Sequence, residues 1–231
     1  MNTARCTLWN HLKIETGTQA DYAALKEFHY RSGHPGGIKR VFVARYAGPG
    51  LGGSDATDGM LAGVLVESLP ALGCALRSIA LPGVFQTGDR SLDAAKLNRD
   101  MRTISRVIVH PMFRSVGLAV ELVRYALVHA ETPYVEALAA MGRVNPFFER
   151  AGMRAFDRPA LGDVVRMVAA LEREGLRAID LADPGRVTRT PFLEAELRRF
   201  CRKSQTWEEM IAEARGRLLS QPVYYVWAST N

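Results

Sequence analysis

The residues around position 115 are suited to binding an anion. They carry the spacing Arg114-x-x-Gly117-x-Ala119. Small residues let a ligand approach the backbone, and Arg114 would add a charge-assisted contact. If a helix begins here, its first turn offers free N–H groups and the positive end of the helix dipole, which together attract phosphate. The spacing therefore predicts a phosphate-type anion site. Its predicted members are Arg114, Ser115, Val116, Gly117, Leu118 and Ala119.

The elements around this turn distinguish it from a chance match. Residues 103–109 (TISRVIV) predict a strand, residues 115–130 carry an apolar face at helical spacing, and residues 134–140 predict a second strand. The same spacing recurs from Arg45 to Gly50, but a glycine-rich loop follows that copy, so it has no helix dipole to use. An ordinary strand–helix turn is the alternative reading of the copy at Arg114.

The composition favours an anionic partner. The chain has 231 residues, a net charge of +6 and three widely separated cysteines without a CxxC motif. A basic chain suits a phosphorylated cofactor or nucleic acid, without deciding between them. The cysteine pattern argues against a disulfide framework or a metal site and favours a cytoplasmic location. No apolar segment approaches the ~18 residues of a membrane span, so no membrane association is expected.

The remaining pattern predicts one domain with an extension. A first strand is expected at 8–14, and the helix after it carries Tyr22, Leu25 and Phe28 on one face. Further strands are expected at 39–46 and 61–68, and residues 69–98 are interpreted as a long, partly ordered excursion. Beyond 156 the sequence predicts helices at 161–174, 192–203 and 207–219 and a closing strand at 223–228. We expect a core of residues 1–156 and a helical extension of residues 157–231 that packs on it.

Two stretches resemble one known family. RVIVHPMFRSVGLAVELV contains the spacing (Gln/Arg)-x-x-Gly-x-(Gly/Ala), and NPFFERAGM matches a Phe-Tyr-Glu-Lys-x-Gly-Phe motif at Phe147, Glu149, Arg150, Gly152 and Met153. Both are similar to the acyl-CoA-binding region of the GNAT superfamily of N-acetyltransferases, over roughly residues 8–156. The resemblance implies an α/β fold with a mixed, largely antiparallel twisted sheet flanked by helices. It also implies acetyl-CoA or another acyl-CoA as the cofactor, and with it that the anion site is a diphosphate site.

The resemblance assigns further residues to the cofactor site. In that superfamily the strand before the turn splays from the next strand and offers backbone groups to the pantetheine arm, which here implies Val107, Ile108 and Val109. The later motif often supplies a tyrosine that protonates the leaving thiolate. Here that position is Phe148, which has no proton to donate. Phe148 is expected to line the site, and another acid must act or the thiolate must leave unaided.

Five residues are candidates for the transfer chemistry. His29 and Tyr30 end the first predicted helix, a region that borders the acceptor site in the superfamily, and would serve as general base and replacement acid. Their structural alternatives are a helix cap and a packed ring. Glu67 and Glu136 are alternative bases, if burial raises the carboxylate pKa. Arg106 interrupts an apolar strand, so it either contacts substrate or phosphate or forms a salt bridge to Glu67 or Glu136.

The sequence leaves three functions open. The first is acyl transfer from acyl-CoA to a small-molecule or macromolecular amine, by direct attack. The second is GNAT-like modification of a nucleic-acid base, because the basic charge, the His29-Tyr30 pair and Arg106 are similar to the phage Mom-type DNA modification proteins. The third is a non-catalytic GNAT-like binding module, which the phenylalanine at position 148 suggests. The oligomeric state is not predicted.

Overall fold

The structure is a computed structural model. It describes residues 7–29, 33–49, 59–143, 145–157, 162–201, 206–219 and 222–229. The chain divides into two compact units. The first consists of residues 1–156 and 224–231, and the second of residues 157–223.

The first unit contains a mixed sheet. Its described strands are β1 (Leu12–Thr16), β2 (Ile38–Tyr46), β3 (Met60–Ser68), β4 (Met101–Val109), β5 (Tyr134–Ala139), β6 (Arg154–Phe156) and β7 (Val223–Ala228). Their order is β1-β2-β3-β4-β5-β7-β6. The pairs β1–β2, β2–β3, β3–β4 and β6–β7 are antiparallel, whereas β4 and β5 are parallel. The predicted α/β fold with a largely antiparallel sheet is therefore confirmed.

The described helices of the first unit connect these strands. They are α1 (Gln19–Leu25), α2 (Ala75–Ala80), α3 (Arg90–Asp100), α4 (Leu118–Val128) and α5 (Phe147–Arg150). A 3-10 turn, Lys26–Phe28, extends α1. Helix α1 starts at a capping box, in which the Thr18 hydroxyl accepts a hydrogen bond from the Asp21 N–H group and the Asp21 carboxylate accepts one from the Thr18 N–H group.

Helices α1 and α4 cover opposite faces of the sheet. Tyr22 and Leu25 of α1 pack in one cluster with Val64 and Val66 of β3. On the other face, a Cβ atom added to Gly63 would lie 3.1 Å from Leu122 and 3.3 Å from Leu118. Neighbouring residues of a strand point to opposite faces, so β3 is buried on both sides. The two helices thus approach the same strands from opposite directions.

Two sequence predictions about this unit were wrong in detail. Residues Thr7–His11 form a 3-10 turn, and the first strand begins only at Leu12. The segment predicted as an excursion contains α2 and α3. Helix α3 buries only Leu97 and starts at Asp89, whose carboxylate accepts hydrogen bonds from the N–H groups of Ser91 and Leu92. A helix with so small an apolar face gives almost no periodic signal, which is why it was missed.

The second unit is helical. It contains α6 (Gly162–Arg173), α7 (Pro191–Phe200) and α8 (Trp207–Leu219), which correspond to the three predicted helices, although α7 ends at Phe200 and not at the predicted residue 203. They surround a hydrophobic cluster of their own that includes Met167, Leu171, Leu181, Leu193 and Leu197. The predicted packing of this extension on the core stays a prediction.

Candidate active site

Strands β4 and β5 separate part of the way along their length. Their pairing runs from Met101 opposite Tyr134 to Ile104 opposite Ala137, yet β4 continues to Val109. At the same place the register between β4 and β3 shifts. Arg106 lies opposite Val66 and Ile104 opposite Glu67, so Ser105 is an extra residue in the ladder. Such a β-bulge bends its strand and ends regular pairing, which explains why the sheet opens after Ile104.

The side chain of Ser105 stabilises this bulge. Its hydroxyl donates a hydrogen bond of 3.1 Å to the carbonyl oxygen of Val66 and lies 2.8 Å from the hydroxyl of Ser68. Both partners belong to β3, so the bulged residue is held on the side away from β5. The β5-facing edge of β4 beyond Ile104 is consequently left to line an opening.

A cavity of about 740 Å³ occupies this opening. We call it the cleft. Its lining comes from β4, β5, the start of α4, the end of the 3-10 turn after α1, and α5. The lining residues are Phe28, His29, Ile104, Ser105, Arg106, Val107, Ile108, Val109, Phe113, Arg114, Ser115, Gly117, Leu118, Ala119, Val120, Leu138, Ala139, Met141, Asn145, Phe147, Phe148 and Arg150.

The charge of the cleft has one sign. Its described lining includes Arg106, Arg114 and Arg150 but no aspartate or glutamate. A concave surface with charges of a single sign concentrates a ligand of the opposite sign. The lining is otherwise mostly apolar, with Leu138 and Met141 partly exposed at 44% and 54%. This combination suits a ligand that has an anionic end and an apolar or amide-bearing arm.

The start of α4 borders the cleft and has free donors. Gly117 is the N-cap residue, with a left-handed φ of 86°, and no side chain caps the helix. The N–H groups of Val120 and Glu121 bond the Gly117 carbonyl oxygen at 3.0 and 3.3 Å. No described residue accepts a hydrogen bond from the N–H groups of Leu118 or Ala119. These two groups therefore remain available to an anion.

The turn before α4 is held in an unusual conformation. Ser115 has a φ of 67°, in the left-handed region that residues other than glycine rarely adopt. Strained backbone of this kind concentrates at ligand sites, where it aims N–H groups. The Arg114 side chain is exposed, and its Nε donates a hydrogen bond of 3.4 Å to the carbonyl oxygen of Val109. The predicted diphosphate residues thus lie together at one end of the cleft, except that Val116 is not part of its lining.

The predicted β4 residues and Phe148 also line the cleft. Val107 lies opposite Leu65 and Val109 opposite Gly63 in the ladder with β3. The backbone edge of β4 that does not pair with β3 therefore faces the opening at these residues. Phe148 is buried, and its ring centroid lies 5.1 Å from that of Tyr225. His29 lines the cleft from the α1 side of the sheet. Tyr30 lies outside the described residues.

Arg106 has no carboxylate partner among the described residues, so the salt bridge to Glu67 or Glu136, which was the alternative to a ligand contact, is not formed. The residue is only 8% exposed. Its Nη1 and Nη2 donate hydrogen bonds to the carbonyl oxygens of Ser105 (2.8 Å) and Gly33 (2.5 Å), and its buried Nε has no partner.

Glu67 lies elsewhere, paired with an arginine of the neighbouring strand. Its carboxylate accepts a hydrogen bond of 2.7 Å from Arg40 Nε, and Arg40 in turn bonds the His129 carbonyl oxygen after the end of α4. Glu67 is completely buried, and this burial raises the pKa of its carboxyl, against the opposing effect of Arg40. Because it does not line the cleft, the structure gives no support to its predicted role as a base there.

Glu136 is the centre of a buried structural network. Arg77 of α2 donates two hydrogen bonds to its carboxylate, at 2.8 and 2.7 Å. The hydroxyls of Thr103 and Tyr224 donate one each, both at 2.7 Å. Burial and the adjacent Glu136 raise the pKa of the Tyr224 phenol. These hydrogen bonds connect α2, β4, β5 and β7. Glu136 does not line the cleft.

Sequence reasoning missed several lining residues. Arg150 was noticed only as part of a motif, and Leu138, Met141 and Asn145 were not assigned to the site. Ser105 is the most consequential omission. A serine inside an apolar strand gives no signal of a bulge, because the bulge exists only in the register with β3.

No known protein-family model matches the sequence, and no curated protein matches it. Solved structures do resemble the chain. A candidate acetyltransferase from Deinococcus radiodurans is 16% identical and has a TM-score of 0.37, with 65% of this chain and 87% of that chain covered. The KacTA–DNA complex is 17% identical and has a TM-score of 0.37, with 64% of this chain and 87% of that chain covered. AtaTR bound with acetyl-CoA is 12% identical and has a TM-score of 0.31, with 62% of this chain and 85% of that chain covered.

The three structures are all less than 20% identical to this chain. Their TM-scores are all below 0.5, so the function proposed below rests on the site of this chain alone. Within the described part of the chain, no three His, Cys, Asp or Glu side chains come together as a metal site. Each described helix is too short or too polar to cross a bilayer.

Proposed function

We propose that the protein is a GNAT-like N-acyltransferase that binds acyl-CoA in the cleft and transfers the acyl group to an amine. One observation carries the proposal: the uncapped start of α4 adjoins an opening between β4 and β5, and the charged side chains in its described lining are all cationic. A coenzyme A molecule has a diphosphate at one end and an amide-bearing arm leading to its thiol. The two parts of the cleft match these two parts of the molecule.

The chain's own groups would hold the molecule in two ways. The N–H groups of Leu118 and Ala119, at the positive end of the helix dipole, would donate to the diphosphate, and Arg114 and Arg150 would add positive charge. The free edge of β4 at Val107–Val109 would pair with the amides of the arm, as an added strand pairs with a sheet edge. Phe148, Leu138 and Met141 would exclude water from the arm.

The transfer needs a proton acceptor. Bound acyl-CoA supplies an activated acyl carbonyl. The amine nitrogen forms the amide bond, the C–S bond breaks, and the amine loses a proton. His29 is the only described lining residue with a side chain that can accept this proton near neutral pH. Because residue 148 is a phenylalanine, the 147–153 motif provides no acid for the thiolate. The thiolate would leave unaided or be protonated by another residue.

Substitution at Ala119 tests the anion site without unfolding the helix. Glutamate is favourable in the first turn of a helix, so Ala119→Glu should preserve or slightly raise the melting temperature of the free protein. The same carboxylate would repel the diphosphate. Acetyl-CoA should raise the melting temperature of the native protein by several degrees at saturating concentration. That increase should be lost in Ala119→Glu.

A second charge on the same helix provides the control. Val128 is 81% exposed at the far end of α4, so Val128→Glu adds the same charge away from the cleft and should keep the response to acetyl-CoA. An unchanged melting temperature of the native protein with acetyl-CoA would refute the proposed function. Salt-dependent binding of DNA without any response to acetyl-CoA would instead favour nucleic-acid modification.

A further inference from the structure

Arg106 connects the cleft to a second cavity. This cavity, which we call the side cavity, measures about 620 Å³ and is lined by residues of the 33–36 segment, β3, its following turn and β4. Ser105 and Arg106 belong to the linings of both cavities. Ser68 and Arg106 lie on the face of the sheet that α1 covers, opposite the start of α4. The side cavity thus adjoins the cleft at Ser105 and Arg106, on the face of the sheet opposite the start of α4.

The guanidinium of Arg106 retains unused hydrogen-bonding capacity. Arginine has five N–H donors in a fixed planar arrangement. Two hydrogen bonds of Arg106 go to backbone carbonyl oxygens, and Nε is buried without a partner. Arg106 is therefore a cation, more than nine-tenths buried, that no described carboxylate neutralises.

Such an arrangement is costly to the folded chain unless a ligand uses it. A buried charge without a counter-ion is strongly destabilising relative to a paired one. Arg77, which is also buried, shows the contrast, because it has Glu136 as a bidentate partner. Within its described lining, the side cavity offers Arg106 no acidic side chain. An anionic group of a ligand would supply the missing partner.

We propose that the acceptor is a small amine that also carries an anionic group, a carboxylate or a phosphate, and that Arg106 binds this group in the side cavity. This inference rests on the proposed acyl transfer. The planar guanidinium suits both kinds of oxyanion. With the anion at Arg106, the amine of the acceptor points toward the cleft, where His29 lines the same side of the sheet. Arg106 thereby selects the acceptor rather than acyl-CoA.

The test compares acceptors that differ in charge, and the members of each carboxylate pair hardly differ in shape. Thiol release from acetyl-CoA would be measured with glycine, β-alanine and phenylalanine, each against its own primary amide. Phosphoethanolamine against ethanolamine forms the phosphate arm. In at least one pair, the anionic member should have a kcat/KM roughly 10- to 100-fold higher, as expected for a charge-assisted hydrogen bond. The pair in which the anionic member has the higher kcat/KM shows whether Arg106 binds a carboxylate or a phosphate.

Two variants separate the role of Arg106 from general effects. Arg106→Gln should reduce the preference for the anionic acceptor at least about tenfold, mainly through its KM, and Arg106→Lys should retain part of it. Arg102 is the matched control, because it lies on the same strand and also bonds backbone carbonyl oxygens, those of Asn98 and Met101. Arg102→Gln should leave the preference unchanged. Equal rates for both members of every pair in the native protein would overturn the inference.

A binding measurement decides the case in which no amine is acylated. With coenzyme A present, at least one of N-acetylglycine, N-acetylphenylalanine and N-acetylphosphoethanolamine should raise the melting temperature of the native protein but not that of Arg106→Gln. The N-methylamides of the first two and N-acetylethanolamine should have no effect. Absence of any such increase, in a protein that acetyl-CoA does stabilise, would overturn the inference and leave the proposed function intact. Absence of a response to acetyl-CoA would refute the proposed function itself.

Discussion

At the scale of single residues, the cleft derives its chemistry from Arg106, Arg114, Arg150 and His29. The arginines supply charge and His29 supplies the one described base. The carboxylates predicted as alternatives, Glu67 and Glu136, are instead buried against Arg40 and Arg77. In the proposed reaction, proton transfer would therefore fall to His29, at the end of the α1 segment.

Removal of that histidine should slow the chemical step. In His29→Gln the side chain can still form hydrogen bonds but cannot take up the amine proton. We expect kcat to fall roughly 100-fold, a typical contribution of a general base. The acidic limb of the pH dependence of kcat/KM should disappear as well. A variant that keeps kcat within about twofold of the native value would remove His29 from the mechanism.

Glu67 should make stability depend on pH. Burial raises the pKa of its carboxyl above the ordinary value of 4.5, so the folded chain holds this proton at pH values where the unfolded chain releases it. The resulting stabilisation is present below the ordinary value and is lost as the pH rises through the raised pKa. Relative to Glu67→Gln, the native protein should therefore lose unfolding free energy as the pH increases above 4.5.

Urea denaturation of both proteins over a pH series measures this difference. A difference in unfolding free energy that stays constant, or that grows in favour of the native protein as the pH rises, would contradict the expected direction. The charge of Arg40 is common to both proteins, so its own ionisation does not enter the comparison.

At the scale of elements, the cleft depends on a helix start and a strand bulge. The left-handed φ of 86° at Gly117 sets the direction in which α4 leaves the turn. The bulge at Ser105 sets where β4 leaves β5. Together they place N–H donors beside a free strand edge.

An alanine at this helix start should be destabilising. A Cβ atom added at Gly117 would meet no neighbour within 4 Å. The left-handed φ of Gly117 is nevertheless unfavourable for residues that have a Cβ atom. Gly117→Ala should therefore cost about 1 kcal/mol of unfolding free energy and should weaken acetyl-CoA binding. Gly216, inside α8, also has no neighbour within 4 Å of an added Cβ, and there Gly216→Ala should stabilise by about 0.5–1 kcal/mol. Equal effects of the two substitutions in chemical denaturation would contradict the role given to the turn.

The turn could be located from the sequence, although the helix begins at Leu118 and not at the predicted residue 115, whereas the opening of the sheet was implied only by the family resemblance. The turn at Arg114–Ala119 is a local arrangement, so residue types and the flanking strand and helix patterns suffice to locate it. The bulge at Ser105 and the partners of Glu67 and Glu136 depend on which residues face each other across strands. Arg77 lies in a segment whose helices have weak periodicity, so its bond to Glu136 could not be foreseen.

At the scale of the whole molecule, all residues that line the cleft and the side cavity belong to the first compact unit. The second unit has its own hydrophobic cluster. The sequence anticipated the helices of this second unit through their apolar spacing. Binding of acyl-CoA and stability of the second unit should accordingly be separable properties.

Truncation of a core side chain in the second unit tests this separation. Leu193 is completely buried in that cluster, so Leu193→Ala should cost ~2–5 kcal/mol of the unit's unfolding free energy. At temperatures where the variant remains folded, its affinity for acetyl-CoA, measured by calorimetry, should match that of the native protein. A loss of affinity comparable to that of Ala119→Glu would show that the cleft depends on the second unit.

Amide hydrogen exchange with and without coenzyme A tests the central claim most directly. If the start of α4 holds the diphosphate and the edge of β4 holds the arm, peptides that cover residues 105–109 and 115–119 should exchange markedly more slowly when coenzyme A is bound. The segment that covers α8 should exchange at the same rate in both states. Unchanged exchange in both cleft segments, with coenzyme A demonstrably bound, would contradict the account.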